Sequence, residues 1–150
     1  MKRFQILFLL CLALSFTFSI FAQDTKEVII LQTSDVHSRI EPINQKGDRY
    51  YNKGGFVRRA AFLEKFRKEH KNVLLFDCGD ISQGTPYYNM FRGEVEIKLM
   101  NEMGYDAMTI GNHEFDFDVD NMARIFKMAD FPVAVSYTHL RAHETRRHLV

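Results

Sequence analysis

Three short polar clusters hold the residues whose types and spacing suit chemistry. The first is Asp35-x-His37 in "TSDVHSR", the second Asp80 in "DCGD", and the third Asn112, His113, Glu114 and Asp116 in "MTIGNHEFDFD". Carboxylate, imidazole and amide together suit borderline or hard divalent ions such as Zn²⁺, Mn²⁺ or Fe²⁺ better than soft ones. Two such ions about 3.5–4 Å apart can share a carboxylate and clamp both oxygens of an in-line displacement. Asp80 is placed to bridge, with Asp35 and His37 serving one ion and Asn112 the other. His113 is then free to meet developing charge or protonate a leaving oxygen, and Asp116 to hold that imidazole in one tautomer. Each piece alone has a plainer reading: Asp-x-His as a turn, Asn-His as a helix cap, Asp118 or Asp120 as a cap of the next helix. Their joint occurrence in this order favours a site.

Each cluster follows an apolar run. Strands are expected near 28–33, 73–77, 107–110 and 132–135, and every polar set falls at a carboxyl end. Helices are expected in "FVRRAAFLEKFRKEH", where Phe56, Ala60, Phe62, Leu63 and Phe66 recur at three- and four-residue spacing, in "EVEIKLMNEM", closed by Gly104, and in "VDNMARIFKMA". "ISQGTPYYNMFRG" reads as a loop. Alternating strands and helices give an α/β layered fold with a partly parallel sheet, and ligands in open sheets of this kind sit beyond the carboxyl ends of the strands. Asp35 and His37, two apart, face one side if the chain is extended. Gly79 and Gly111 leave room for close backbone approach. Cys78 reads as a small buried hydrophobe.

The 150-residue chain opens with Lys2 and Arg3, an apolar run from Ile6 to Leu14, and weakly polar residues to Ala22. That is the layout of an export signal, so residues 1–22 are expected to be a signal peptide and the mature part to be exported, periplasmic or extracellular, without stable membrane association. Past that point Cys78 is the one remaining cysteine, so no internal disulfide is available. A formal net charge of +1 gives no general attraction to a polyanion, and no nucleic-acid partner is expected.

These motifs resemble the calcineurin-like metallophosphoesterase superfamily, and within it the secreted 5′-nucleotidases. The likeness rests on "LQTSDVHSRIEP", "GGFVRRAAFL" and "DCGDISQGTPYYNMFRGEVEIKLMNEMGYDAMTIGNHEFDFD" and runs from about Val28 to Val135. It implies the N-terminal portion of a metallophosphoesterase-type layered sheet (23–135) holding two divalent ions. The same ligands follow from it, Asp35, His37, Asp80 and Asn112, with a His113–Asp116 pair aiding catalysis. The implied activity is hydrolysis of a phosphate monoester, a 5′-nucleotide; a 2′,3′-cyclic nucleotide phosphodiesterase or nucleotide-sugar hydrolase is the nearest alternative, and a non-catalytic exported fragment the alternative of another class. The family's downstream histidine ligands, including a Gly-His-x-His motif, and its C-terminal substrate domain have no counterpart here. Residues 136–150, "SYTHLRAHETRRHLV", lack apolar periodicity and read as a non-native tail, although His139 and His143, four apart, offer imidazoles on one helix face.

Overall fold

The protein is described here by a computed structural model covering residues 25–135, together with Gln5. The expected signal peptide, apart from Gln5, and the expected non-native tail lie outside the described residues. In chain order the elements are β1 (Ile29–Thr33), α1 (Phe56–Glu69), β2 (Val73–Asp77), α2 (Pro86–Phe91), α3 (Glu94–Met103), β3 (Ala107–Thr109), a 3₁₀ turn (His113–Phe115), α4 (Val119–Phe126) and β4 (Val133–Ala134).

The four strands form one sheet in the order β1-β2-β3-β4, every neighbouring pair parallel. Register sets the geometry of the site. Thr33 pairs with Asp77, Asp77 with Met108, and Met108 with Val133. The last residues of β1 and β2 are thus level with each other and with the middle of β3, and the three polar clusters leave the sheet along one edge.

The helices cover one face. Leu75 and Met108 from the sheet pack with Phe56 and Leu63 of α1, Ile97 and Met100 of α3, and Ile125 of α4. Burying a side chain of this size contributes about 1.5–3 kcal/mol, which fixes the helices against the strands. The alternate side chains point the other way: Ile30 is 63% exposed and Leu74 36%, as the period of two along a strand requires.

The helix ends follow local chemistry. Asp118 Oδ1 accepts from Asn121 N at 2.5 Å, capping α4. Gly104 closes α3 in the left-handed conformation, φ 63° and ψ 57°. The segment read as a loop contains α2 instead. Pro86 at its first turn supplies the helical φ, the Thr85 hydroxyl donates to Ser38 O at 2.8 Å, and buried Tyr88 anchors it. On α1 the expected apolar stripe is narrower: Phe56 and Leu63 are buried, Ala60 and Phe62 exposed. Phe62 stacks on Phe66 with ring centroids 5.4 Å apart rather than entering the core. Among the described residues no helix is long and apolar enough to cross a membrane.

Candidate metal centre

The loops after β1 and β2 continue side by side beyond the regular sheet. Asp35 N donates to Gly79 O (3.1 Å), His37 N to Asp80 O (3.1 Å) and Ser38 N to Ile81 O (2.8 Å). The backbone is not extended there. Asp35 (φ 53°), His37 (φ 44°), Ser38 (φ 51°) and Asp80 (φ 56°) all occupy the left-handed region, which side chains bearing a Cβ seldom adopt. The expectation that Asp35 and His37 share a side because they are two apart in an extended chain therefore fails. The turn, not strand alternation, places each of them. A run of such residues costs of order 1–3 kcal/mol each and persists only where surrounding contacts over-determine it.

Those contacts are present. Gly79 and Gly111 lie back to back where the turns after β2 and β3 cross. A Cβ on Gly79, whose φ is 95°, would lie 2.8 Å from Gly111 Cα, and one on Gly111 would lie 2.6 Å from Asp80 N. Glu114 is 1% exposed, and its two carboxylate oxygens accept four backbone N–H groups. Oε2 takes those of Asp80 (2.9 Å) and Gly111 (2.6 Å), and Oε1 those of Ile81 (2.9 Å) and Ser82 (3.2 Å). Glu114 thus ties the third polar cluster to the second. Behind the turns, Asp77 accepts from Thr33 Oγ1 at 2.5 Å and from Gly79 N at 2.8 Å, linking the ends of β1 and β2. Thr33 Oγ1 also lies 2.9 Å from Tyr105 Oη, which accepts from Arg59 Nη1 at 3.0 Å. Burial pushes the Asp77 carboxyl up to about 6, against the bonds from Thr33 and Gly79 that favour its charged form.

Between these turns His37, Asp80 and His113 each offer one ligand atom, all within 4.8 Å of one another. His37 Nδ1 is 3.3 Å from Ser82 O; a proton on Nδ1 in that contact leaves Nε2 as a lone-pair donor. His113 Nδ1 is 2.6 Å from Asp116 Oδ2, and its backbone N donates to Asp80 Oδ1 at 2.9 Å. The two imidazoles meet edge to face with centroids 5.0 Å apart. The hydrogen bond to Asp116 raises the His113 pKa above the usual imidazole value. Burial opposes this, and the charges of Asp116, Asp80 and Glu114 add to the rise. One carboxylate and two imidazoles, partly open to solvent, form a donor set that fits a borderline divalent ion.

The other two expected ligands sit at the margin. Asp35 is exposed and its carboxylate accepts from the neighbouring Ser34 hydroxyl, outside the three-residue group. Asn112 is exposed and adjoins His113. Cys78 is exposed, not the small buried hydrophobe expected; it follows Asp77, whose side chain takes the inward place on β2. Glu114 and Asp77 were given no role from sequence. The one signal for Glu114 is a carboxylate flanked by His113 and Phe115 directly after a Gly-terminated strand, and for Asp77 a carboxylate within an apolar strand.

Comparison with known proteins agrees with this architecture. The family model described as calcineurin-like phosphoesterase matches residues 28–142. A snake venom 5′-nucleotidase of Crotalus adamanteus is 40% identical over 111 residues, 71% of this chain and 19% of that protein. Among solved structures, a 5′-nucleotidase precursor from Thermus thermophilus superposes with a TM-score of 0.63 at 36% identity, covering 71% of this chain and 21% of the other. The NAD nucleotidase of Haemophilus influenzae gives 0.63 at 35%, covering 71% and 20%. The chain spans about a fifth of the length of these relatives. With this match over most of its length, and an all-parallel sheet whose carboxyl edge gathers His37, Asp80 and His113, the chain belongs to the calcineurin-like phosphoesterase family.

Proposed function

We propose that the protein of which these residues are part is an exported hydrolase of phosphate monoesters, with a 5′-nucleotide as substrate. The observation that carries this reading is the group of His37, Asp80 and His113 at the carboxyl ends of β1, β2 and β3. The similar proteins are 5′-nucleotidases by name, and the substrate class is carried from them.

Asp35, His37, Asp80 and Asn112 are the residues proposed to hold two divalent ions, Zn²⁺, Mn²⁺ or Fe²⁺, with Asp80 shared. Such ions, when bound, neutralise charge on a phosphoryl group and lower the pKa of water. The chain's own contribution is positional. Glu114 fixes the backbone of Asp80 and its two successors, so the shared carboxylate is held rather than sought at each turnover. Asp116 holds His113 through Nδ1, leaving Nε2 to donate a proton to a phosphoryl or leaving-group oxygen. The raised pKa keeps that proton present nearer to neutral pH. His113 as a ligand is the second reading, favoured by its place in the three-residue group, since metal-bound imidazoles commonly give their other N–H to a carboxylate. Further ligands and a substrate-binding domain are expected from polypeptide beyond Val135. Residues 1–22 are proposed to direct export and residues 136–150 to be non-native.

The test is phosphate release from AMP in Mn²⁺, measured on a chain continued natively past Val135 and on the 150-residue chain. The continued protein is expected to be active and to lose activity with EDTA or on Asp80→Ala, while the 150-residue chain shows only a trace. Faster turnover of a cyclic diester or a nucleotide sugar than of AMP would move the substrate assignment to that class. Robust AMP hydrolysis that survives Asp80→Ala overturns the site.

A further inference from the structure

Beneath the turn that carries His37 lies a group of buried polar side chains with no part in the chemistry above. Glu96, in the first turn of α3, is fully buried, and neither carboxylate oxygen has a hydrogen-bond partner among the described residues. The Ser82 hydroxyl and the Tyr88 hydroxyl, also buried, are unpartnered in the same sense. Ser38 is fully buried too. Its hydroxyl bears on the Glu96 carboxyl, favouring the charged form against burial, and makes a long bond of 3.5 Å to Ile81 O. A Cβ placed on Gly93, the residue before α3, would lie 3.6 Å from Ser82 Oγ, so Ser82 rests against the start of that helix.

Leaving a carboxyl group unsatisfied in an apolar interior costs several kcal/mol as a charge, and native structures seldom bury polar atoms without a use. Two of the neighbours share a function. Ser38 follows His37 directly. Ser82 supplies the carbonyl that faces His37 Nδ1 at 3.3 Å. Ser38 borders the Glu96 side chain, and Ser82 lies at the start of the helix that carries it.

We propose that Glu96 is a positioning residue for His37, holding the Ser38 and Ser82 segments from below so that the Ser82 carbonyl fixes the imidazole tautomer. The inference rests on the reading of His37 as a ligand. Burial raises the Glu96 carboxyl pKa and favours its neutral form. A neutral carboxyl group has one O–H to donate and an oxygen to accept, so it can meet the neighbouring Ser38 hydroxyl in either direction and still keep a second polar atom for the Ser82 side. Glutamine has the same shape and the same two capacities, whereas leucine fills the space with neither.

The experiment is ¹⁵N-resolved NMR of the histidine rings in the metal-free 150-residue chain, followed by Mn²⁺ titration. Wild type and Glu96→Gln are expected to show His37 as a single tautomer protonated on Nδ1. Glu96→Leu should show a mixture of tautomers and an affinity for Mn²⁺ weaker by ~10-fold or more, the scale on which residues supporting a ligand act. Should Glu96→Leu fail to fold, Ser82→Ala is expected to mix the tautomers in the same way. His37 resonances unchanged in the folded variant overturn the proposal, and so does a Glu96→Gln variant as disturbed as Glu96→Leu. The ring readout is independent of metal: a wild type that binds no Mn²⁺, or whose binding Asp80→Ala leaves intact, removes the site reading while the tautomer still decides the role of Glu96.

Discussion

Replacing Glu114 by glutamine changes one oxygen into an amide nitrogen and should be among the most damaging single-atom changes available to this fold. The four N–H groups around the carboxylate divide two and two: Asp80 and Gly111 on Oε2, Ile81 and Ser82 on Oε1. An amide has one oxygen. Whichever way it is turned, two buried N–H groups keep an acceptor and two face an NH₂ donor. Hydrogen bonds to a charged group contribute about 1.5–3 kcal/mol each, so two lost bonds predict a destabilisation of about 3–6 kcal/mol. That is a large part of the 5–15 kcal/mol typical of a whole domain, as an order of magnitude. The assay is urea unfolding of the metal-free chain followed by far-ultraviolet circular dichroism. With an m-value of about 1–3 kcal/mol/M, the midpoint should fall by roughly 1 M or more at unchanged slope. Relaxation of the turn can recover part of the loss but cannot create a second acceptor. A Glu114→Gln chain within about 0.5 kcal/mol of wild type, below the cost of one such bond, would refute the clamp.

Three other outcomes follow from neighbouring residues. Gly79→Ala places a methyl group against the Gly111 backbone at a φ of 95°; strain of about 1–3 kcal/mol is expected, visible as a lower melting temperature together with weaker Mn²⁺ binding because Asp80 must move. The Asp77 carboxyl, at about 6 in the folded chain against 3.8 ordinarily, binds its proton more tightly when folded. Its contribution to stability is therefore fully present below pH ~4 and is lost as pH rises through ~6, up to about 3 kcal/mol; Asp77→Asn should flatten that part of the pH–stability curve, and a curve of unchanged slope would contradict the assignment. In the natively continued protein, His113→Asn is expected to lower kcat by ~10²–10⁴-fold with both metals retained, and Asp116→Asn to reproduce part of the loss. An equivalent of metal lost on His113→Asn would make His113 a ligand instead of an acid.

Strand positions and the clustering of polar groups at carboxyl ends were legible because both are written in local pattern: Val73–Asp77 and Ala107–Thr109 are apolar runs that stop at Gly79 and Gly111. The cap at Asp118 and the stop at Gly104 were legible for the same reason. Contacts between segments distant in sequence were not. Glu114 stood in plain view within the third polar cluster, yet its partners lie more than thirty residues earlier, at Asp80, Ile81 and Ser82. The left-handed backbone at Asp35 and His37 is only faintly marked in residue type, since neither is glycine although Asp and His adopt it more often than most, and the alternation argument chose the wrong geometry for the two residues. Cys78 illustrates the limit of residue type: a free cysteine reads as a small buried hydrophobe, but the inward position on β2 is taken by Asp77. The helix at Pro86–Phe91 was hidden by its brevity and by a composition of aromatics and turn formers.

The central claim, that the three strand ends build one divalent-ion site around Asp80, is tested most directly by Mn²⁺-induced paramagnetic broadening of histidine ring signals in the 150-residue chain. His37 and His113 flank Asp80 in the structure, whereas His70 lies at the far end of α1. The account predicts that substoichiometric Mn²⁺ broadens His37 and His113 first, leaves His70 sharp, and loses this selectivity on Asp80→Ala. Broadening that spares His37, or that persists unchanged at His37 and His113 in Asp80→Ala, would contradict it.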